Sequence, residues 1–114
     1  IPSLTKINSL LVKKLLSDYC EDTILYKKPN DLFIKKRKIS GILQEVITFS
    51  DSKFLIIGIG INLIKSPKIR NYPTTNLNVF TKKHINKRWI ENKLKVIFEK
   101  NLSKMYKLSS KLNI

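Results

Sequence analysis

Lys27 and Lys38 lie on either side of Asp31 in the chain, and a later apolar run carries Gly58, Gly60 and Asn62. These are residues equipped to receive a ligand. Two cations bracket one carboxylate, and Asn62 brings both a donor and an acceptor. Pro29 fixes φ and has no N–H, while Asn30 and Asp31 can hydrogen-bond their own backbone, so Lys28-Pro29-Asn30-Asp31 reads as a tight turn at a strand end. Turns of that kind put side chains where ligands arrive. Gly58 and Gly60 would let a flat ligand lie against bare backbone just before Asn62.

The elements that must position these residues follow from patterning. Leu4, Ile7, Leu11 and Leu15, with Leu10, Val12, Leu16 and Tyr19, fit one helical stripe, which Ser3 or Thr5 would cap and Ser17-Asp18 would end. Ile24-Leu25-Tyr26 feeds the turn, Leu32-Phe33-Ile34 forms a short strand, and Lys35-Lys36-Arg37 is a solvated connection to a longer run from Lys38 to Phe49. Gly41 inside that run signals a bulge or a close backbone approach. Ser50 to Lys53 is a polar hairpin loop, and Phe54 to Leu63 returns as a nearly continuous apolar strand, hence one expected to be buried on both faces. Pro67 and Pro73 punctuate the loop that follows. From about Asn86 to Lys111, Trp89, Ile90, Leu94, Ile97, Phe98, Leu102, Met105 and Tyr106 recur at steps of three and four, with lysines on the remaining face: one long helix.

Composition narrows the class. The chain has 114 residues, enough for one small domain. The single Cys20 excludes an internal disulfide framework and suits a reducing compartment; with no histidine beside it there is no case for a nucleophile. No apolar run reaches the roughly eighteen residues of a membrane span. His84 has no Cys or clustered carboxylates around it, so no metal site is expected. The formal charge is +15, but residues 1–64 carry ten Lys/Arg against six Asp/Glu and residues 65–114 thirteen against two, so the excess lies away from the turn and the glycines. The cations are almost all Lys and alanine is absent, the usage of A+T-rich coding sequence, which makes much of the basicity compositional. The chain opens on Ile1 and is read as a piece of a longer product.

Four stretches together resemble a known family. Lys27-x-Pro29-Asn30-Asp31, then Arg37-Lys38-x-x-Gly41-Ile42-Leu43-x-Glu45, then Gly58-Ile59-Gly60-Ile61-Asn62, then Pro73-Thr74-Thr75-Asn76-Leu77 look like the successive motifs K-W-P-N-D, R-K-x-x-G-I-L-x-E, G-I-G-x-N and P-A-T-S-L of the biotin protein ligase catalytic domain. Shared order and spacing carry the resemblance, which runs from about Leu4 to the C-terminal helix. It implies a partial α+β domain over residues 1–114, with a mixed sheet of four or five strands packed against an N-terminal and a long C-terminal helix. One sheet face is expected to be incompletely covered.

The implied activity is ATP-dependent: biotin is activated as biotinyl-AMP and passed to a lysine of a biotin carboxyl carrier protein. Such a step joins two anions, so fixed cations and Mg²⁺ are the expected remedy. By resemblance Lys38 reaches the biotin carboxylate and the α-phosphate, Lys27 is a second anion contact, and Asp31 holds both lysines or helps position Mg²⁺. By the same resemblance Asn30, Arg37, Gly41, Gly58 and Gly60 approach biotin or nucleotide, and Asn62 meets the adenine edge. Two departures stand out. Lys28 occupies the family's usual Trp position, and the N-terminal half with its Gly-Arg-Gly-Arg-x-Gly loop is absent, so this chain alone is expected to be inactive or weakly active. The expected setting is cytoplasmic, with no membrane or nucleic-acid partner and a homodimer possible for the full-length protein. The alternatives are a lipoate-protein ligase of the same fold and a nonenzymatic basic nucleic-acid-binding module.

Overall fold

The computed structural model describes the backbone of residues 2–111 and the side chains of residues 4–103. Helix α1 spans Pro2–Ser17, strands β1 to β4 span Ile24–Lys27, Asp31–Ile34, Arg37–Phe49 and Ser52–Ile61, a 3₁₀ turn covers Leu77–Val79, and helix α2 spans Lys87–Lys111. The fold is α+β, as the resemblance implied. The four strands follow one another in the order β1-β2-β3-β4, every neighbouring pair antiparallel. The expected mixed sheet is therefore corrected to an antiparallel meander. Its short connections leave no length for the crossover a parallel neighbour needs. Lys35-Lys36 and Ser50-Asp51 are two-residue turns with φ of 48° and 65° in each, the left-handed geometry whose twist matches that of a hairpin. Hence the loops read as Lys35 to Arg37 and Ser50 to Lys53 are each shorter than expected, and Arg37, Ser52 and Lys53 belong to strands.

Both helices pack on one face of the sheet. Val12 and Leu16 of α1, Leu32 and Ile34 of β2, Ile39 and Ile42 of β3, Leu77 of the 3₁₀ turn and Phe98 of α2 form a continuous buried core, with Ile57 and Ile59 of β4 at its margin. The helical stripe of α1 differs from the one expected: Ile7 and Leu10 are exposed while Asn8 and Ser9 are buried. Burial of these polar residues is tolerated because Asn8 donates to the Gln44 side chain, Gln44 donates to Thr5 Oγ1 at 3.2 Å, and Ser9 donates to the Thr5 carbonyl at 2.9 Å. Thr5 lies within α1, which begins at Pro2, so it does not cap; the Ser3 side chain lies outside the described residues. In α2 the backbone N–H of Trp89 donates to Asn86 Oδ1 at 2.9 Å, an N-cap that starts the helix where the periodicity begins. Ile90 and Phe98 are buried and Trp89 is exposed; the stripe positions Met105 and Tyr106 lie outside the described side chains.

Leu32 is fully buried at the centre of this core. Leu32→Ala is expected to destabilise the domain by about 2–5 kcal/mol, the range for truncating a leucine in a cavity that relaxes only in part. A urea midpoint unchanged from wild type would contradict that packing.

The far end of the β3–β4 hairpin leaves the core. Leu43 is 67 % and Phe49 70 % exposed, and Val46, Ile47, Phe54, Leu55 and Ile56 are exposed with them. This corrects the expectation that the apolar run of β4 is buried on both faces. An apolar run makes burial favourable only where the fold supplies a cover, and toward the hairpin tip α2 borders Leu55 only across an open cleft that leaves it exposed. No helix among the described residues is long and apolar enough to cross a membrane.

Candidate functional site

The uncovered face of the sheet, opposite the helices, carries the residues singled out by their chemistry. Paired residues in an antiparallel ladder project to the same side, and here Asp31 faces Gly41, Gly41 faces Gly60, and Leu43 faces Gly58. Between Leu32↔Ser40 and Phe33↔Lys38 the register shifts, which makes Ile39 an extra residue on β3. That bulge decides the site. Residues 38 and 41 are three apart and in a regular strand would project to opposite faces, but the extra residue brings Lys38 onto the face of Asp31 and Gly41 while Ile39 and Ser40 both turn into the core. The bulge signalled by Gly41 thus lies two residues earlier than the glycine, and Gly41 serves as the place of close approach. A Cβ there would sit 3.1 Å from Lys38 Cε and Nζ and 3.3 Å from Asp31 Oδ1.

Lys38 Nζ lies 3.1 Å from Asp31 Oδ1, with both side chains largely buried. An ion pair at this partial exposure is worth on the order of 1 kcal/mol or less, so it orients Lys38 more than it stabilises the fold. The backbone of Lys38 is fixed as well: its N–H donates to the Pro73 carbonyl at 3.0 Å and its carbonyl accepts from Thr75 N–H at 2.9 Å, so residues 73–75 run beside Lys38 as a short parallel bridge. The Pro73 to Leu77 stretch, read from sequence as a turn, is a clamp on the lysine.

Around this pair lies an open groove of about 550 Å³. Its lining comprises Asn30, Asp31 and Lys38 on one side and Gly41, Ile42, Leu43, Gly58, Ile59 and Gly60 along the floor. Such a volume is in the range of small-molecule sites. A Cβ at Gly58 or Gly60 would touch nothing closer than a backbone oxygen at 3.8 Å, so those glycines bare the floor without any close neighbour requiring it. Asn30 lines the groove while its side chain donates to the Ile42 carbonyl, and its own carbonyl accepts from Ile42 N–H at 3.0 Å, tying the turn to β3.

Three expected site residues are placed differently. Lys27 pairs with Asp31 in the ladder, yet its ammonium lies over the Phe33 ring at 5.1 Å, and among the described ion pairs Asp31 binds Lys38 alone. The expectation that Asp31 holds both lysines is corrected accordingly: a Phe ring beside Lys27 offers a competing cation–π seat. Arg37 is exposed and donates to the Thr74 carbonyl at 3.3 Å. Asn62 lies outside the groove lining; its Nδ2 donates to the Thr75 carbonyl at 3.0 Å, while its backbone joins Ile39 and Leu77, so it pins the end of β4 to the clamp.

Sequence reading missed Tyr72. Its hydroxyl donates to Asp31 Oδ2 at 3.2 Å, and Lys38 Nζ lies 5.4 Å from its ring centre. It sits in an irregular loop with no periodic signal, and only its neighbour Pro73 drew notice. Cys20, by contrast, is a poor nucleophile: partial burial and the nearby Asp22 push its thiol pKa up. No group of three or more His, Cys, Asp or Glu able to hold a metal exists among the described residues.

The profile of the biotin/lipoate A/B protein ligase family matches residues 6–62, half of the chain. Biotin--protein ligase 2 of Arabidopsis thaliana is 33 % identical over an alignment of 89 residues that covers 72 % of this chain and 25 % of that protein. The biotin protein ligase from Aquifex aeolicus in complex with biotin and ATP superposes with a TM-score of 0.72 at 29 % identity, covering 91 % of this chain and 44 % of that one. Its apo structure gives 0.71 at the same identity and covers 46 % of that chain. The chain thus spans a quarter to just under half of the length of these relatives.

Proposed function

This chain belongs to the biotin/lipoate A/B protein ligase family, and on that footing we propose that it is part of the catalytic domain of an enzyme that activates biotin with ATP and transfers it to a lysine of a biotin carboxyl carrier protein. In the first step a biotin carboxylate oxygen bonds to the α-phosphorus of ATP, the bond to the β-phosphate breaks, and pyrophosphate leaves. In the second the acceptor amine attacks the acyl carbon, loses its proton, and AMP departs.

The observation that carries this reading is the fixed cation at the edge of a bare floor: Lys38, oriented by Asp31 and clamped at its backbone, beside Gly41, Gly58 and Gly60. Carboxylate and phosphate repel each other as they close, and an ammonium already in place lowers that cost without reorganising. Asn30 stands at the groove as a polar wall, and the glycine floor takes flat parts of the substrates. Lys27 is a second cation on the same sheet face, available to phosphate once drawn off Phe33. Arg37, bound to the loop carbonyl, supports the clamp. Asn62 has its Nδ2 engaged with Thr75, so its contribution to adenine recognition is Oδ1, an acceptor for the exocyclic amine.

Mg²⁺ belongs to this scheme as part of the nucleotide substrate. Asp31 is the single carboxylate lining the groove, and its two oxygens already face Lys38 and Tyr72, which does not make a resident metal site. The exposed apolar blade of β3 and β4 is completed, in this proposal, by further polypeptide of the whole protein, in keeping with the partial coverage of the relatives. Cys20, a free thiol, suits the cytoplasm.

Biotin is favoured over lipoate because the plant and Aquifex relatives are both biotin ligases. The test supplies the whole protein with ATP and either acid, and identifies the acyl-adenylate by mass spectrometry. Biotinyl-adenylate is expected. Lipoyl-adenylate alone would overturn the choice of substrate, and no adenylate from either acid would overturn the reaction.

A further inference from the structure

We propose that Tyr72 is a positioning residue that sets the direction from which an anion reaches Lys38; this rests on the ligase reading above. Three observations converge on it. Its hydroxyl donates to Asp31 Oδ2 at 3.2 Å, the oxygen that Lys38 does not use, so each oxygen of that carboxylate has its own partner. Its ring lies 5.4 Å from Lys38 Nζ, within the reach of a cation–π contact, and is braced by Phe33 at 6.5 Å between ring centres. It is carried by a closed turn in which Tyr72 N–H donates to the Ile69 carbonyl at 3.1 Å and Asn71 takes a φ of 61°, followed directly by the Pro73 carbonyl that receives Lys38 N–H.

The loop therefore grips the lysine twice, at its backbone through Pro73 and at its ammonium through Tyr72. With Asp31 on one side of the ammonium and the ring on another, the direction left open is the groove. A lysine is a flexible four-carbon stem with three rotatable donors, and on its own would sample several directions. Tyr72 removes that freedom. It touches no reacting atom and acts through Asp31 and Lys38.

The experiment has two arms on the whole protein. In the first, adenylate formation is followed in Tyr72→Phe, Tyr72→Leu, Asp31→Asn and the Asp31→Asn/Tyr72→Phe pair. Tyr72→Phe is expected to lower kcat by about five- to tenfold, the worth of one hydrogen bond, with little change in KM for ATP. Tyr72→Leu, which removes the ring as well, is expected to lose about threefold more. In the Asp31→Asn background Tyr72→Phe is expected to cost almost nothing further, since both act on one carboxylate. A merely structural tyrosine would give additive losses. In the second arm, lysines are reductively ¹³C-methylated and the Lys38 signal, assigned by its disappearance in Lys38→Arg, is expected to be shifted by the ring current of Tyr72 and to lose that shift in Tyr72→Leu. An unshifted Lys38 signal in the wild type, wild-type rates in both single variants, or additivity in the cycle would each overturn the proposal. Absence of adenylate in the wild type with a ring-shifted Lys38 would instead overturn the reaction assigned above, which keeps the two failures apart.

Discussion

Lys38→Ala in the whole protein is expected to slow biotinyl-adenylate formation by about 10²–10³-fold, the usual consequence of deleting one preorganised donor at a developing charge. The fold should survive, because the lysine side chain lies outside the core and the backbone bonds to Pro73 and Thr75 do not require it. Among the described residues, the Asp31 carboxylate would then keep only Tyr72 as a partner. Lys38→Arg is the sharper comparison: it preserves charge but replaces a compact ammonium by a planar fork, in a space that Gly41 leaves just wide enough for the lysine end. Arginine is expected to recover only a part of the loss. Single-turnover release of pyrophosphate, read beside a thermal melt, measures both quantities. A folded Lys38→Ala protein within twofold of the wild-type rate would remove Lys38 from the chemistry.

Gly41→Ala tests the same site from the other side. The added methyl would lie 3.1 Å from Lys38 Cε and Nζ and 3.3 Å from Asp31 Oδ1. Its crowded neighbours are side-chain ends and not backbone, so the fold gives way at little cost and the ammonium moves. None of the glycines here has a positive φ, so alanine meets no backbone strain, and the stiffer unfolded chain contributes up to about 1 kcal/mol in its favour. The expected result is a protein as stable as wild type or slightly more so, with adenylate formation reduced by about tenfold, because the ammonium must give way by a few tenths of an ångström, less than the misplacement of about 1 Å that costs about 10²-fold. Gly58→Ala provides the contrast. Its methyl would meet only Leu43 O at 3.8 Å, far from the lysine, so it narrows the groove without displacing Lys38 and should cost clearly less. Equal losses in the two variants would show that crowding of Lys38 is not the cause.

The pair of predictions exposes why Gly41 could be noticed in the sequence but not understood there. A glycine in a strand invites the thought of a bulge or a visitor, and the sequence offers no means of choosing. The bulge is at Ile39, and the visitor is the end of Lys38. Tyr72 shows the converse case. Nothing in residues 69–73 marks it, since its importance comes from Asp31, forty-one positions earlier, which approaches only when β2 pairs with β3 and residues 73–75 dock beside Lys38. The mistaken burial of β4 has a similar source. Phe54 to Ile57 is apolar whether or not anything covers it, and cover is a property of neighbours.

What the chain determined locally is the set of strands and helices, their turns, and the ordered motifs around Asp31, Lys38, Gly58 and Asn62, because φ/ψ preference and apolar period are written in consecutive residues. What the tertiary structure decided is who meets whom. An extra residue at Ile39 placed Lys38 and Gly41 on one face, Phe33 took Lys27 away from Asp31, and a distant loop brought Tyr72 to the carboxylate. Strand register fixes which side chains share a face, and register is a relation between segments that neither segment carries alone.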